Sequence, residues 1–534
     1  MKTLMITFIL GLSFFNGFFI KAIAQDDLRE ILRQRIENLT DKQSMPDEKI
    51  FNVVSISDFY ENNDFSFVWN GYRIRRLLYV LKNSPNEGLH PADYHYMFIE
   101  ALNREFPWLS EEEKVLIELY STDAFLQYTK HILSGKIESN DLSGSWNIPR
   151  TEQNPLDLFN KALRLNNIDS VLLSLTPDNE VYLGLQQGLE KYREIHRNGG
   201  WEKLDINEKF TLDSYGEEIA KIKMRLIVSE DLELADTGCM KLFDYKLLNA
   251  IEKFQGRHGI EISGELNEIT VNALNVNVED RINQIRINME RWRWLPQELG
   301  DYFILVNIAN FSLEVVEGML TERTHKIIVG LPYRKTPVFS AAMSYLVFNP
   351  TWTIPPNILR NDILPSVRKS VKYLSRKNII VYDHNNEQID PSTIDWGESN
   401  VTDFKYRQIP GPGNSLGRVK FMFPNNYNVY IHDTPSLSLF QNSERTFSSG
   451  CIRVENALDL ATYLLSKDQE WTPEMTDEIM KSGKTKTIKL ERKPDVYILY
   501  WTAWSDGKGI VHFRRDIYDR DSKILKLLDE PLKN

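Results

Sequence analysis

Cysteine is scarce: 534 residues contain only Cys239 and Cys451. Two thiols exclude a disulfide-stapled scaffold and any cysteine-rich zinc or iron–sulfur site. Gly and Pro, at 26 and 22, fall short of a low-complexity composition. Positive charge is in deficit, 64 Lys and Arg against 75 Asp and Glu for a net −11. That balance argues against broad nucleic-acid binding by phosphate neutralisation and leaves room only for a local basic groove. The histidines His90, His95, His131 and His196 lack any metal-ligand spacing. They read as structural or solvated, and no metal or other cofactor is expected.

What is present is globular. Apolar residues make up 42% and charged residues 26%, and the length suits three or four units. Met1-Lys2, the apolar run from Leu4 to Ile20 and then Ala22-Ile23-Ala24 have the parts of a secretory signal, residues 1–24. The competing reading is an uncleaved anchor, because the run touches the lower length limit for spanning a bilayer. No cysteine follows the run, which excludes lipid attachment there, and no later stretch reaches about 18 uninterrupted apolar residues. The remainder is therefore expected to work outside the cytoplasm. In an oxidising compartment one Cys239–Cys451 disulfide competes with every functional reading of the thiols.

The fold class expected is multidomain α+β. Residues 25–205 read as a helical scaffold, with Tyr182, Leu185, Leu189 and Tyr192 forming one clear 3.6-residue stripe. Residues 212–277 read as a small helical unit in which Asp244 caps one helix and Gly259 ends it. From 298 to 505 the pattern turns mainly β, with runs Tyr302–Ile308, Ser312–Val316, His325–Gly330 and Val429–His432. A helical, Pro-rich interval at 349–396 is expected to form a lid over whatever site the sheet carries. Residues 506–534 read as a C-terminal extension.

Two motifs mislead. Gly413-Asn414-Ser415-Leu416-Gly417 matches the serine-hydrolase elbow, but Pro410-Gly411-Pro412 precedes it and the strand-like Val419–Phe423 follows. Ser366-Val367-Arg368-Lys369 matches a penicillin-binding tetrad but has no Lys-Thr-Gly partner in the chain.

The chemistry is carried by Tyr430-Ile431-His432-Asp433-Thr434 and by Ser448-Ser449-Gly450-Cys451-Ile452-Arg453, whose Cys451 lies nineteen residues after His432. A thiol is a strong nucleophile only as thiolate, which a nearby imidazole, cation or helix N-terminus favours. His432, Arg453 and the helix expected from Asn456 offer all three. Ser449-Gly450 lets the backbone approach a carbonyl closely, so the N–H groups of Gly450 and Cys451 are candidate oxyanion donors. Tyr430 lies two positions before His432, hence on the same strand face. It either positions the oxyanion or packs beside the site. From the residues alone this is a Cys–His acyl-transfer site.

These segments resemble the YkuD-type L,D-transpeptidase signature, a His followed by Ser/Thr-x-Gly-Cys-Ile/Val-Arg. Many members have His at the place of Ser449 and Gly at that of Asp433. The large members are similar to this chain there and in Arg334-Lys335-Thr336-Pro337, Asn349-Pro350-Thr351-Trp352, Asp362-Ile363-Leu364-Pro365 and Gly411–Gly417. Residues 212–277 resemble a three-helix peptidoglycan-binding domain through Ala250, Ile251, Phe254, Gln255, Gly264, Leu266 and Thr270. Their other reading is a packing module that no longer binds glycan. The resemblance implies a helical scaffold, a peptidoglycan-binding module and a mainly-β catalytic domain with a helical lid insertion.

It also implies a periplasmic enzyme that cross-links peptidoglycan. Cys451 would attack the third residue of a tetrapeptide stem, usually meso-diaminopimelate, and expel D-alanine. Another stem's amine would then take the acyl group in a 3-3 cross-link, with His432 as base and acid in turn. Peptidoglycan stem peptides and glycan are the implied partners, together with cell-wall synthesis proteins, and carbapenems would acylate the thiol. Whether Asp433 or a backbone carbonyl orients His432 stays open, as does whether Ser449 and Arg453 position substrate. Rival readings are an L,D-carboxypeptidase or hydrolase at the same site, and a non-catalytic wall-binding protein. Cys239 reads as a buried or incidental thiol.

Overall fold

The computed structural model describes residues 26–40, 49–138, 141, 146–150, 153–206, 208–236, 238–318, 320–468, 470–506 and 509–532. The expected leader, residues 1–24, lies outside them. None of the described helices is long and apolar enough to cross a membrane.

The amino-terminal region is helical and is organised around Glu111–Ser134. Ser110 and Glu113 form a reciprocal capping box at its start, and its residues are buried on all sides from Val115 onward apart from a few at the edges. A helix enclosed in this way must pair its own polar groups. Asp123 accepts from the N–H groups of Phe51 and Asn52 at 3.1 and 2.8 Å and contacts His95 at 2.7 Å. His131 pairs with Tyr94 and Gln127 at 2.9 and 2.6 Å, which gives that histidine a structural role.

Three helices, Glu217–Val228, Tyr245–Arg257 and Glu268–Leu274, surround Leu226, Leu247, Ile251, Phe254 and Leu274. The Asp244 side chain accepts from Leu247 N–H at 2.9 Å, the cap expected, and Gly259 has φ +65°. Gln255 is fully buried. Its amide takes the N–H groups of Ser263 and Gly264, each at 2.9 Å, and donates to Glu265 O and Thr270 Oγ1 at 2.9 and 3.0 Å. One side chain thus holds the Gly264 turn and the last helix together.

The carboxy-terminal region is β-rich. Its strands are β1 Tyr302–Asn307, β2 Ser312–Glu317, β3 Leu320–Gly330, β4 Phe339–Ala342, β5 Tyr345–Phe348, β6 Trp352–Thr353, β7 Ile379–Tyr382, β8 Gln388–Ile389, β9 Lys405–Gln408, β10 Val419–Met422, β11 Ile431–His432, β12 Thr446–Ser448, β13 Ile452–Val454, β14 Lys486–Lys489 and β15 Asp495–Leu499. The main sheet runs β14-β5-β10-β11-β13-β3-β2-β1-β15-β4, with β12 added to β3. Alternation sets its two faces. Val419, Phe421, Ile431, Ile452 and Val454 are fully buried in the core, so Lys420, His432 and Arg453 face the other way.

Between β5 and β10 lies a unit with its own core, including Leu359, Val367, Val381, Trp396 and Tyr406. The sequence reads as helical here. The structure gives broken short helices and a four-stranded sheet, β6-β9-β7-β8, that reaches Gln408. Pro365 stands in the first turn of Leu364–Lys369, directly after a π-helical turn at Leu359–Ile363, which divides the expected continuous helix. Among the described residues after 506, Ile517, Tyr518, Ile524 and Leu528 belong to the core of the β-rich region.

Candidate active site

Cys451 ends the tight segment between β12 and β13, and His432 ends β11, whose parallel partner is β13. The pairing places Arg453 beside His432, and Lys420 of β10 lies opposite His432 on the other side. Lys420, His432 and Arg453 therefore form one row across three strands.

His432 is 5% exposed, and its Nδ1 lies 2.6 Å from the backbone oxygen of Asp433. A carbonyl only accepts, so Nδ1 carries the proton and Nε2 carries the lone pair in the neutral ring. The orienting group left open by the sequence is thus the Asp433 carbonyl. The Asp433 carboxylate instead accepts from the N–H and Nε of Arg418 at 2.9 and 2.7 Å. Gly417, the last residue of the misleading Gly-x-Ser-x-Gly, has φ +62°, and a Cβ there would stand 2.5 to 2.6 Å from Asp433 atoms. This glycine permits the close approach that fixes the acceptor of His432.

Burial, with the charges of Arg453 and Lys420, lowers the pKa of His432 to about 4. Burial also raises that of Cys451, against the opposing effects of the Tyr430 N–H, the Tyr430 hydroxyl and the Arg453 charge. The sequence offered three groups that favour a thiolate. Desolvation wins instead, so the resting pair is a neutral thiol and a neutral imidazole.

Tyr430 touches both groups. Its ring centroid lies 5.6 Å from that of His432, and its hydroxyl is near enough to Cys451 and to the Trp352 side chain of β6 for both to act on its ionisation. The Cys451 sulfur also lies 3.8 Å from Asn428 O. Gly450 has φ +117°, and its N–H donates to Ser448 Oγ at 3.1 Å. That donor is consumed within the loop, so in this geometry it is not directed at an oxyanion. Ser448 Oγ in turn donates to Cys451 O at 2.5 Å. Ser449 accepts from Arg334 at 2.9 Å, and Arg334 pairs with Asp362 of the inserted unit at 2.8 Å. Arg453 remains half-buried in its row, with Nε unpartnered.

Thr336, quoted only within a motif of the resemblance, and Tyr518 and Lys420 were given no site role from sequence. Thr336 Oγ1 donates to Gly450 O at 3.0 Å and accepts from Gly330 N–H at 2.9 Å. The Tyr518 hydroxyl donates to Gly330 O at 2.6 Å and accepts from Thr336 N–H at 3.2 Å. The Arg334–Pro337 quartet therefore buttresses the nucleophile loop. Lys420 had one legible signal, a cation alternating with buried Val419 and Phe421.

Both cysteines are free, which removes the disulfide reading. Cys239 is exposed rather than buried. Two cavities of about 480 and 300 Å³ lie elsewhere and are not lined by Cys451 or His432.

A model described as the L,D-transpeptidase catalytic domain, of the YkuD type, matches residues 301–471, and one described as a scaffold domain matches 54–189. A Haemophilus influenzae protein named "Putative L,D-transpeptidase" is 34% identical over 248 residues, 46% of this chain and 50% of that protein. The chain thus spans about half the length of the curated relative it matches. A solved L,D-transpeptidase from Stackebrandtia nassauensis is 12% identical and covers 54% of this chain and 94% of its own. Its TM-score of 0.21 is too low to bear on the fold. Residues 301–471 thus match the YkuD-type L,D-transpeptidase catalytic domain, and residues 54–189, ahead of it, match a scaffold domain.

Proposed function

We propose that this protein is a periplasmic peptidoglycan L,D-transpeptidase that makes 3-3 cross-links. The observation that carries the reading is the Cys451–Tyr430–His432 cluster within the matched catalytic domain. Cys451 Sγ attacks the carbonyl carbon of the third residue of a donor tetrapeptide while its proton passes to His432 Nε2. The carbon–nitrogen bond to the terminal D-alanine then breaks, and the same proton goes to the departing amine. A thioester remains. An acceptor stem's amine attacks it, His432 takes the amine's proton, the carbon–sulfur bond breaks, and His432 returns that proton to Cys451 Sγ.

Nδ1–H held on Asp433 O keeps the ring in the tautomer this cycle needs. The Cys451 N–H and the Tyr430 hydroxyl supply the oxyanion donors, since Gly450 N–H is already engaged. The inserted unit acts as a lid, tied to the nucleophile loop by Asp362 through Arg334 and Ser449. Residues 212–277 hold glycan, and the leader-like start delivers the chain to the periplasm.

Incubating the protein with purified disaccharide tetrapeptide tests the activity. Mass spectrometry should find cross-linked dimers formed with loss of one D-alanine, and none with Cys451→Ala. Tripeptide without dimer would make the protein a carboxypeptidase. No turnover and no covalent carbapenem adduct on Cys451 would overturn the catalytic reading altogether.

A further inference from the structure

We propose that Lys420 is a specificity-determining residue that receives the free terminal carboxylate of the donor stem, the carboxylate that leaves with D-alanine. The inference rests on the transpeptidase reading and deepens it.

Three observations carry it. First, order across the sheet is fixed by register: Cys451 precedes β13, His432 is on β11, and Lys420 is directly opposite His432 on β10. An acyl group on Cys451 therefore has the leaving nitrogen toward His432, which protonates it, and the rest of the leaving residue toward β10. Second, the distances suit. The carboxylate carbon of an amino acid is two bonds, roughly 2.5 Å, from its nitrogen, and neighbouring strands lie about 4.8 Å apart. A leaving residue whose amine meets His432 thus brings its carboxylate within reach of the flexible Lys420 side chain.

Third, Lys420 has no counter-ion. Among the described residues no carboxylate pairs with its ammonium. Partial burial alone acts on its charge, pushing its pKa down, while Nζ lies 5.7 Å from the centroid of the Tyr430 ring. Asp433, the residue after His432, is already paired with Arg418. A partly desolvated ammonium on the site face of a sheet gains most from a ligand that brings a negative charge. Arg453 occupies the opposite flank of His432, on the acyl side, so it does not substitute for Lys420.

Donor tetrapeptides in three forms provide the test: free acid, terminal D-alanine amide, and the form amidated on the third residue's carboxylate. Wild-type protein should use the free acid about 10- to 100-fold better in kcat/KM than the D-alanine amide. Third-residue amidation should cost less. Lys420→Met should lower the free-acid value to that of the amide, leave the amide value nearly unmoved and act mainly through KM. Lys420→Arg should restore part of the preference. Equal use of acid and D-alanine amide by the wild type, or a preference that survives in Lys420→Met, would overturn the proposal. So would sensitivity only to third-residue amidation. Absence of turnover with all three forms would instead count against the transpeptidase reading. A carbapenem adduct formed by Lys420→Met, seen in the intact mass, establishes that the variant is folded and its thiol reactive.

Discussion

His432 offers the sharpest prediction because its environment makes it a base at unusually low pH. A fall from an ordinary 6.5 to about 4 corresponds to roughly 3 kcal/mol in favour of the neutral ring. At pH 5.5 an ordinary imidazole would be about 10% neutral, whereas one titrating near 4 is about 97% neutral. The rate of acylation, followed as kcat/KM for donor tetrapeptide or as carbapenem adduct by intact mass, should therefore be nearly flat from pH 7.5 to 5.5. Its acid limb should have a midpoint near 4. An acid limb centred between 6 and 7, with the associated tenfold loss by pH 5.5, would refute the reasoning. Arg453→Met should move the midpoint upward, and Lys420→Met should do so by less, since Arg453 is the larger of the two charge effects. The same ionisation bears on stability. The unfolded ring binds a proton below about 6.5 and the folded one only below about 4, so folding stability falls as pH drops through that interval. His432→Gln should flatten that part of the stability curve, read as Tm against pH.

Other outcomes follow from individual contacts. Gly417→Ala should lower Tm and slow acylation by tenfold or more, because the new Cβ meets Asp433 at 2.5 Å in a left-handed backbone conformation. Thr336→Val removes both bonds of its hydroxyl, to Gly450 O and Gly330 N–H. It should cost about 2–4 kcal/mol in chemical denaturation and slow acylation without changing the number of titratable thiols. Phe254→Ala should destabilise the three-helix unit by about 3–5 kcal/mol, read by hydrogen exchange confined to residues 212–277, while carbapenem acylation persists. Asp362→Asn breaks the tie from the inserted unit to Arg334. Being half-exposed, it should change Tm by less than about 1 kcal/mol equivalent while raising the KM for donor.

Much of the site was legible because it is local. His432 and Cys451 sit in short contiguous segments, and period-two alternation already put Tyr430 on the face of His432. The three-helix unit was legible for a similar reason: its cap, its Phe254–Gln255 pair and its turn glycine act within a few residues. The inserted sheet was missed because its strands are two to four residues long and sit among prolines and asparagines. The turn Asp383-His384-Asn385-Asn386 between Ile379–Tyr382 and Gln388–Ile389 was the available hairpin signal.

The sequence by itself picked out the candidate nucleophile Cys451, its candidate partner His432 and the mixture of helical and β regions. Only the tertiary structure decided the electrostatics and the supports. Whether a thiol rests as thiolate depends on how deeply it is buried against how close its cations lie, and here burial prevails. Whether Gly450 N–H serves an oxyanion depends on where Ser448 points. That Lys420, 31 residues before Cys451 in the chain, stands beside His432 depends on strand register, which no local pattern encodes.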